Sequence, residues 1–509
     1  MGNSILNSRK LAKNTILLYI RFIFTMLVSL YTSRVILKYL GVEDYGIYNV
    51  VGGVVAMFQI VSSSLSSSVS RHLTFELGKG NSERLSKMFV MSINIQLLLI
   101  VVLFLLLEPL GFWFIGQKLV IPESRLFAAY CVFQFSMITF AINLLGVPYI
   151  ASIISHERMK AFAYIGILDV CLKLIIVYLL VISPIDKLIF YGFFHLLVAL
   201  IICMICGIYC KNRFAECTYY YCFDKEILKI MFGFATWNFL GCTATLLKNQ
   251  GLNILLNIFF GPVVNAARAI STQVNSAVNG FVSNFMTALT PQITKAYAQD
   301  DNDYLLNCIY KGSKFSFFLL YFLSLPLLIE TEEILKLWLV DVPDSTVGFV
   351  RYILIFSLAD TLSRTTINAN NATGNIKKYQ ITIGTFNLLI LPFAYFVIKL
   401  GCRPETTELI SVVFTLISLF PRIYFVKKNI PITYLDFIFK VILPVLFVSC
   451  MGLILPLIIK KNIAYSVINL IFIVCVSFFS AFICIITFGC TKMEKKYLKK
   501  MINKYICIR

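Results

Sequence analysis

Apolar residues run along this chain in long blocks separated by short polar connectors. A block of about 20 apolar residues, wound as a helix, matches the hydrocarbon thickness of a bilayer. The pattern predicts about fourteen such helices, at 14–40, 45–70, 86–107, 124–150, 161–182, 186–210, 228–260, 263–293, 312–329, 348–372, 379–400, 406–426, 437–459 and 463–488. No connector is long enough to form a soluble domain. The expected fold class is therefore an all-α polytopic membrane protein. The first apolar run is too long for a secretory signal peptide, and no small-residue cleavage site follows it.

Composition agrees: 59% of the 509 residues are hydrophobic and 14% are charged, with a mean hydropathy of +0.84. The net charge of +20 suggests nucleic acid at first sight. Charge position rejects that partner. With the N-terminus inside, about three times as many Lys and Arg fall on inner segments as on outer ones, which is the positive-inside bias of a membrane protein. Both termini are expected in the cytoplasm, with localisation to a bacterial inner membrane. The tail 491–509 is expected to lie as a basic helix on anionic phospholipid. The 15 cysteines fall mostly in apolar helices, where they act as small hydrophobes. Cys203 and Cys206 have a C-x-x-C spacing with no histidine nearby, and the three histidines are scattered. No metal and no cofactor is expected.

Self-comparison finds a repeat. "KYLGVEDYGIYNVVGGVVAMFQIVSSSLSSSVSRHLTFELGKGNSERL" (38–85) aligns with "IFFGPVVNAARAISTQVNSAVNGFVSNFMTALTPQITKAYAQDDNDYL" (258–305), pairing Gly41 with Gly261. "VIPES" (120–124) aligns with "DVPDS" (341–345), and "MKAFAYIG" (159–166) with "KKYQITIG" (377–384). The near-constant offset spans six helices. An even number returns the chain to its starting side, so the halves are expected to be parallel repeats about an axis along the membrane normal. The expected division is a cytoplasmic N-terminus 1–13, a first six-helix lobe 14–210, a linker 211–227, a second lobe 228–428, two extra helices 429–490 and the tail 491–509. Such lobes are expected to flank a central cleft.

"SRVILKYLGVEDYGIYNVVGGVV", the small-residue second helix and "LGCTATLLKNQGLNILLNIFFGPVVNAARAI" resemble the polysaccharide exporters of the multidrug/oligosaccharidyl-lipid/polysaccharide (MOP) superfamily, nearest to Wzx-type O-antigen flippases. The resemblance covers essentially the whole chain, including a 12+2 helix arrangement. It implies movement of undecaprenyl-diphosphate-linked oligosaccharide, an O-antigen or capsule/exopolysaccharide unit, from the inner to the outer leaflet.

Charges inside apolar spans mark function, because each is costly in lipid. Nine stand above the inner rim: Arg21, Arg34, Asp169, Lys173, Lys248, Arg268, Arg351, Asp360 and Arg364. Seven are cations and two are anions, a sign that suits a diphosphate. Arg34 and Arg351 lie near span ends and can snorkel outward. Asp169 with Lys173, and Asp360 with Arg364, stand one turn apart and can neutralise each other. Either carboxylate is a candidate for coupling to H+ or Na+. Lys248 has no carboxylate on its own helix. Arg268, Asn275 and Asn279 share a polar stripe on span 8. Tyr45 and Tyr48 on span 2 offer phenols for sugar rings. The expected substrate groups are thus Arg21, Lys248, Arg268, Arg364, Asn275, Asn279, Tyr45 and Tyr48.

Three other readings make different demands on the residues. A MATE-like cation or drug antiporter would be expected to carry a carboxylate in its first lobe, and span 1 has none. A lipid II flippase would use arginines on helices one, two and eight; Arg21 and Arg268 match, but span 2 has no charge before Arg71. A membrane-bound glycan polymerase or ligase would need a large external loop with catalytic groups, so no enzyme activity and no catalytic residue are expected. The protein is expected to act as a monomer.

Overall fold

The computed structural model describes residues 2–56, 58–117, 121–183, 186–339, 341–462 and 466–495, without the side chains of 2–13 and of some positions between 30 and 57. The described residues are helical with short turns and contain no strand. In chain order the helices are α1 (Gly2–Leu40), α2 (Val42–Ala56), α3 (Gln59–Lys79), α4 (Ser82–Gln117), α5 (Glu123–Ser155), α6 (Met159–Ile182), α7 (Lys187–Arg213), α8 (Lys225–Phe260) and α9 (Pro262–Ala298). They continue with α10 (Asn302–Ile329), α11 (Thr331–Trp338), α12 (Thr346–Thr373), α13 (Lys377–Lys399), α14 (Thr406–Lys427), α15 (Tyr434–Phe437), α16 (Leu443–Asn462) and α17 (Val467–Cys484). Two π-helical turns, Ile438–Ile442 and Ile485–Gly489, precede α16 and follow α17.

Among the described residues, 11 helices are long and apolar enough to cross a membrane. α1, the α2–α3 pair and α9 bring the total to about fourteen crossings, as the hydropathy pattern predicts. α9 is 37 residues long but too polar to reach that threshold. Its polar stripe is the cause.

Two boundaries differ from expectation. The span expected at 45–70 is two helices, α2 and α3, joined where the Phe58 N–H donates to the Val55 carbonyl at 3.1 Å. The Gly52-Gly53 pair amid valines weakens helix propensity just before the break. The span expected to stop at 107 continues to Gln117 through Glu108 and Pro109. Glu108 is accommodated because Gln134 on α5 donates to its Oε1 at 2.6 Å.

The chain forms two compact units. One comprises 1–242 with 294–300 and 374–377; the other comprises 243–293, 301–373 and 378–509. Inside the first, α5 packs on α7, α4 on α5 and α1 on α6. Inside the second, α12 packs on α14 and α10 on α12. There too α8 meets α13 at small residues: a Cβ on Gly384 would lie 3.5 Å from that of Ala244, and one on Gly251 would press on Leu391. The pairs α5–α7 and α4–α5 of the first unit have counterparts in α12–α14 and α10–α12 of the second. α16 and α17 pack on each other and on α10.

The repeat anchors have structural causes. Gly41 ends α1 and Gly261 ends α8, both with left-handed backbones (φ +85° and +79°). Glycine adopts that region without the Cβ penalty of other residues. Pro122 stands directly before α5 and Pro343 three residues before α12. Gly166 on α6 leaves room for the Arg21 side chain: a Cβ there would come within 2.8 Å of its Cδ.

Candidate substrate site

The densest polar assembly lies in the second unit, where α8, α9, α12 and α14 present charge and amides to one another. Its lower tier is a zipper between α9 and α12. Asn279 Nδ2 donates to Ser357 Oγ at 2.9 Å, and Ser357 donates to Asn275 Oδ1 at 2.6 Å. Arg364 Nη2 donates to Asn279 Oδ1 at 2.8 Å, while its Nε holds Asp360 at 3.2 Å. Further along, Asn368 donates to Thr290 at 2.8 Å. Helical spacing explains these contacts: Asn275 and Asn279 are one turn apart, as are Asp360 and Arg364.

The upper tier centres on Arg268. Its Nε donates to Glu408 Oε1 on α14 at 2.8 Å. Its Nη1 donates to the Asn249 carbonyl at 3.2 Å and to Asn253 Oδ1. Arg268 and Glu408 are 4% and 3% exposed. A buried ion pair needs this kind of extra hydrogen bonding to offset desolvation.

Lys248, 5% exposed, sits between the tiers. Its Nζ lies 4.7 Å from the Phe356 ring centroid. The charges acting on it are Glu408, Asp360 and Arg268, yet no carboxylate among the described residues comes within ion-pair distance. An ammonium held over a ring without a carboxylate partner keeps the capacity to pair with an anion.

Unit one treats its charges differently. The Arg21 guanidinium lies 4.3 Å from the Phe162 ring centroid. On the same helix as Phe162, Lys173 Nζ donates to Asp169 Oδ2 at 2.8 Å. Tyr48 packs edge-on against Tyr191 at 4.7 Å, with His195 at 6.1 Å. The side chains of Tyr45 and Arg34 lie outside the described residues, as does the tail beyond residue 495. Arg351 is exposed and donates to Thr331 at 3.2 Å.

Three participants escaped the sequence reading. Glu408 lies two residues inside the expected span 406–426, and its carboxylate reduces the cationic excess counted from nine charges. Arg422, 7% exposed, adds one cation back. It donates to Tyr379 at 3.1 Å and to Ser418 at 3.2 Å. Ser357 reads as an ordinary helix residue until its neighbours on α9 are known. The signal available for Glu408 was a carboxylate just inside an apolar run.

A sequence model of the polysaccharide biosynthesis protein family matches residues 11–297. Among curated proteins, none matches by sequence. Solved structures with the same fold include a MATE transporter in the bent conformation, at TM-score 0.71 and 14% identity over 83% of this chain and 97% of that one. An outward-facing multidrug resistance MATE transporter of the MOP superfamily aligns at TM-score 0.70 and 12% identity, over 82% and 95%. A MOP superfamily transporter from Pyrococcus furiosus, described as having a binding pocket of reverse polarity, aligns at TM-score 0.69 and 14% identity over 82% and 95%. At these identities the likeness establishes the fold. The family model covers more than half the chain and carries the sequence relationship: this protein belongs to the polysaccharide biosynthesis protein family, built on a MOP-type fold.

Proposed function

We propose that this protein is a flippase that moves a polyprenyl-diphosphate-linked oligosaccharide, an O-antigen or capsule/exopolysaccharide repeat unit, from the inner to the outer leaflet of a bacterial inner membrane by alternating access. The observation that carries the reading is Lys248, a buried ammonium over Phe356 with no carboxylate at ion-pair distance. A diphosphate supplies the missing anion. Arg364 lies within the same unit, and Arg268, held by Glu408, adds positive field for the phosphates. Asn275, Asn279 and the phenols of Tyr45 and Tyr48 serve the sugar, and Arg21 meets the head early in its passage. The lipid tail stays in the hydrocarbon. Asp169, paired with Lys173, and Asp360, paired with Arg364, are the carboxylates for H+ or Na+ coupling. The protein works as a transporter without catalysis, as a monomer, with both termini in the cytoplasm.

The electrical term supports outward movement. Two negative charges leaving a cell with a negative interior gain about 4.6 kcal/mol per 100 mV. The test uses vesicles with a potassium gradient and valinomycin and follows labelled lipid-linked glycan into the outer leaflet. Faster flipping at inside-negative potential, lost in Lys248→Glu at normal protein level, is the expected result. Retained flipping in that variant removes Lys248 from the site. Mass spectrometry of lipid-linked glycans in a deletion strain then names the substrate; accumulation of lipid II alone would replace the oligosaccharide with that lipid.

A further inference from the structure

A cavity of about 540 Å³, lined by charged and apolar side chains, lies in the second unit where the start of α10 meets the two C-terminal helices. It shares no residue with the substrate network. Both π-helical turns border it: Phe439 and Lys440 belong to one, Phe488 and Gly489 to the other. π turns are rare and concentrate at functional sites. Here they turn a lysine and two phenylalanines towards one hollow.

The charges lining it are Lys311, Lys314, Lys440, Asp303 and Glu494, and Asp436 beside them pairs with Lys440. Lys314 is fully committed: its Nζ donates to Glu494 at 2.8 Å, and the two side chains are 5% and 9% exposed. Glu494 is held further by the Thr491 N–H at 2.8 Å. That buried pair forms the floor. Lys440 lies over the Tyr310 ring at 5.0 Å and touches Asp436 at 2.9 Å, with both groups largely exposed. Lys311 is exposed and forms no ion pair among the described residues. At the lip, Phe439 and Phe488 are 63% and 52% exposed, on segments that cross or enter the membrane.

We propose that this cavity binds the headgroup of an anionic phospholipid carrying one phosphodiester charge. Lys311 and Lys440 take the phosphate, and Asn307 and the Thr491 hydroxyl supply neutral polar contacts. Phe439 and Phe488 meet the acyl chains. With Lys314 and Lys440 each beside a carboxylate, Lys311 is the lining lysine without an ion pair among the described residues, and one such ammonium matches a single phosphodiester. The combination of a charged hollow with exposed rings at its lip selects an amphiphile over a free anion. Basic pockets between transmembrane helices bind anionic headgroups by the same physics. The cavity volume falls within the usual range for small-molecule sites.

The test is native mass spectrometry of the full chain in detergent, titrated with phosphatidylglycerol or phosphatidylcholine of matched acyl chains. Wild type is expected to retain phosphatidylglycerol preferentially. The K311E/K440E double variant should lose that preference, by roughly fivefold for each lysine, while K461E, whose lysine is not among the cavity's lining residues, should keep it. Should charge reversal prevent folding, K311M/K440M carries the same expectation. Equal retention of the two lipids by wild type, or unchanged retention by a folded double variant, overturns the proposal. Inorganic phosphate is the second arm. If it displaces phosphatidylglycerol at equal concentration, the cavity is a free-anion site and the lipid assignment falls.

Discussion

Two arginines, one in each unit, solve the same problem, a cation inside an apolar helix, with different chemistry. In the first, Arg21 rests on the face of Phe162 and runs across the bare backbone of Gly166. In the second, Arg268 is fixed by a carboxylate, a carbonyl and an amide oxygen. An aromatic face offers attraction that a solvent or ligand contact can replace at small cost. A buried salt bridge is demanding: each partner depends on the other, and removing one exposes the full desolvation of the survivor. The first arrangement suits transient contact, and the second suits a fixed field around Lys248.

The largest expected effect tests that dependence. Glu408→Ala should lower stability by about 3–5 kcal/mol, because Arg268 stays buried without its carboxylate. It is read as a fall in melting temperature in detergent. Replacing the pair together, Arg268→Met with Glu408→Leu, should recover most of the loss. If the single variant melts like wild type, the contrast between the units disappears.

The next effect separates function from stability. Lys248→Met should cut flipping at least tenfold, about 1.4 kcal/mol, with melting temperature unchanged or higher, since a buried charge has gone. Arg21→Met should cost less transport. The reverse order would move the principal anion contact into the first unit. Smaller again is Phe162→Leu, which removes the ring under Arg21. Its expected cost is about 0.5–2 kcal/mol of stability, and Arg268 supplies no analogue, since no aromatic face supports it among the described residues.

The smallest effect should be equal in the two units. Each has a carboxylate outside the spans that is held below its usual range. Burial raises Glu216, but the His156 ring at 2.5 Å and nearby backbone pull it down further. Burial likewise raises Glu494, and Lys314 with Thr491 pull it down. A carboxylate lowered in the folded state contributes stability above its unfolded pKa of about 4.3 and loses that contribution as pH falls through the folded value. Melting temperature should therefore hold from pH 7 to pH 5 and drop below about pH 4.3. Glu216→Gln and Glu494→Gln should each flatten that acid limb. A steep limb surviving in both variants would place the titrating groups elsewhere.

Much of the architecture was legible because hydropathy and helical spacing are local. The crossings follow apolar blocks. The Asp169–Lys173 and Asp360–Arg364 ion pairs follow a one-turn spacing. The anchors Gly166 and Gly384 stand where one helix approaches another closely. Partners on different helices were not legible. Nothing in the periodicity of α14 says that Glu408 faces Arg268, 140 residues away. Nor does α12 alone reveal that Ser357 joins Asn275 to Asn279. The α2–α3 break was hidden for a related reason: the run from 45 to 70 has the composition of one crossing, and weak local helix propensity decides its continuity.

Gly41 and Gly261 carry this contrast into the history of the chain. Each has a positive φ, and neither has an atom within 4 Å of where a Cβ would stand. Only backbone torsion, worth about 1–2 kcal/mol, disfavours a larger residue at either place. A cation inside a helix can be housed by a ring or by a carboxylate, as Arg21 and Arg268 illustrate. A left-handed turn has no such rescue, because no neighbour contributes to it. Between the two aligned segments, then, torsional landmarks match where the chemistry does not. Two stretches of chain whose buried cations are held differently can still be aligned by asking where the peptide chain must wind the wrong way.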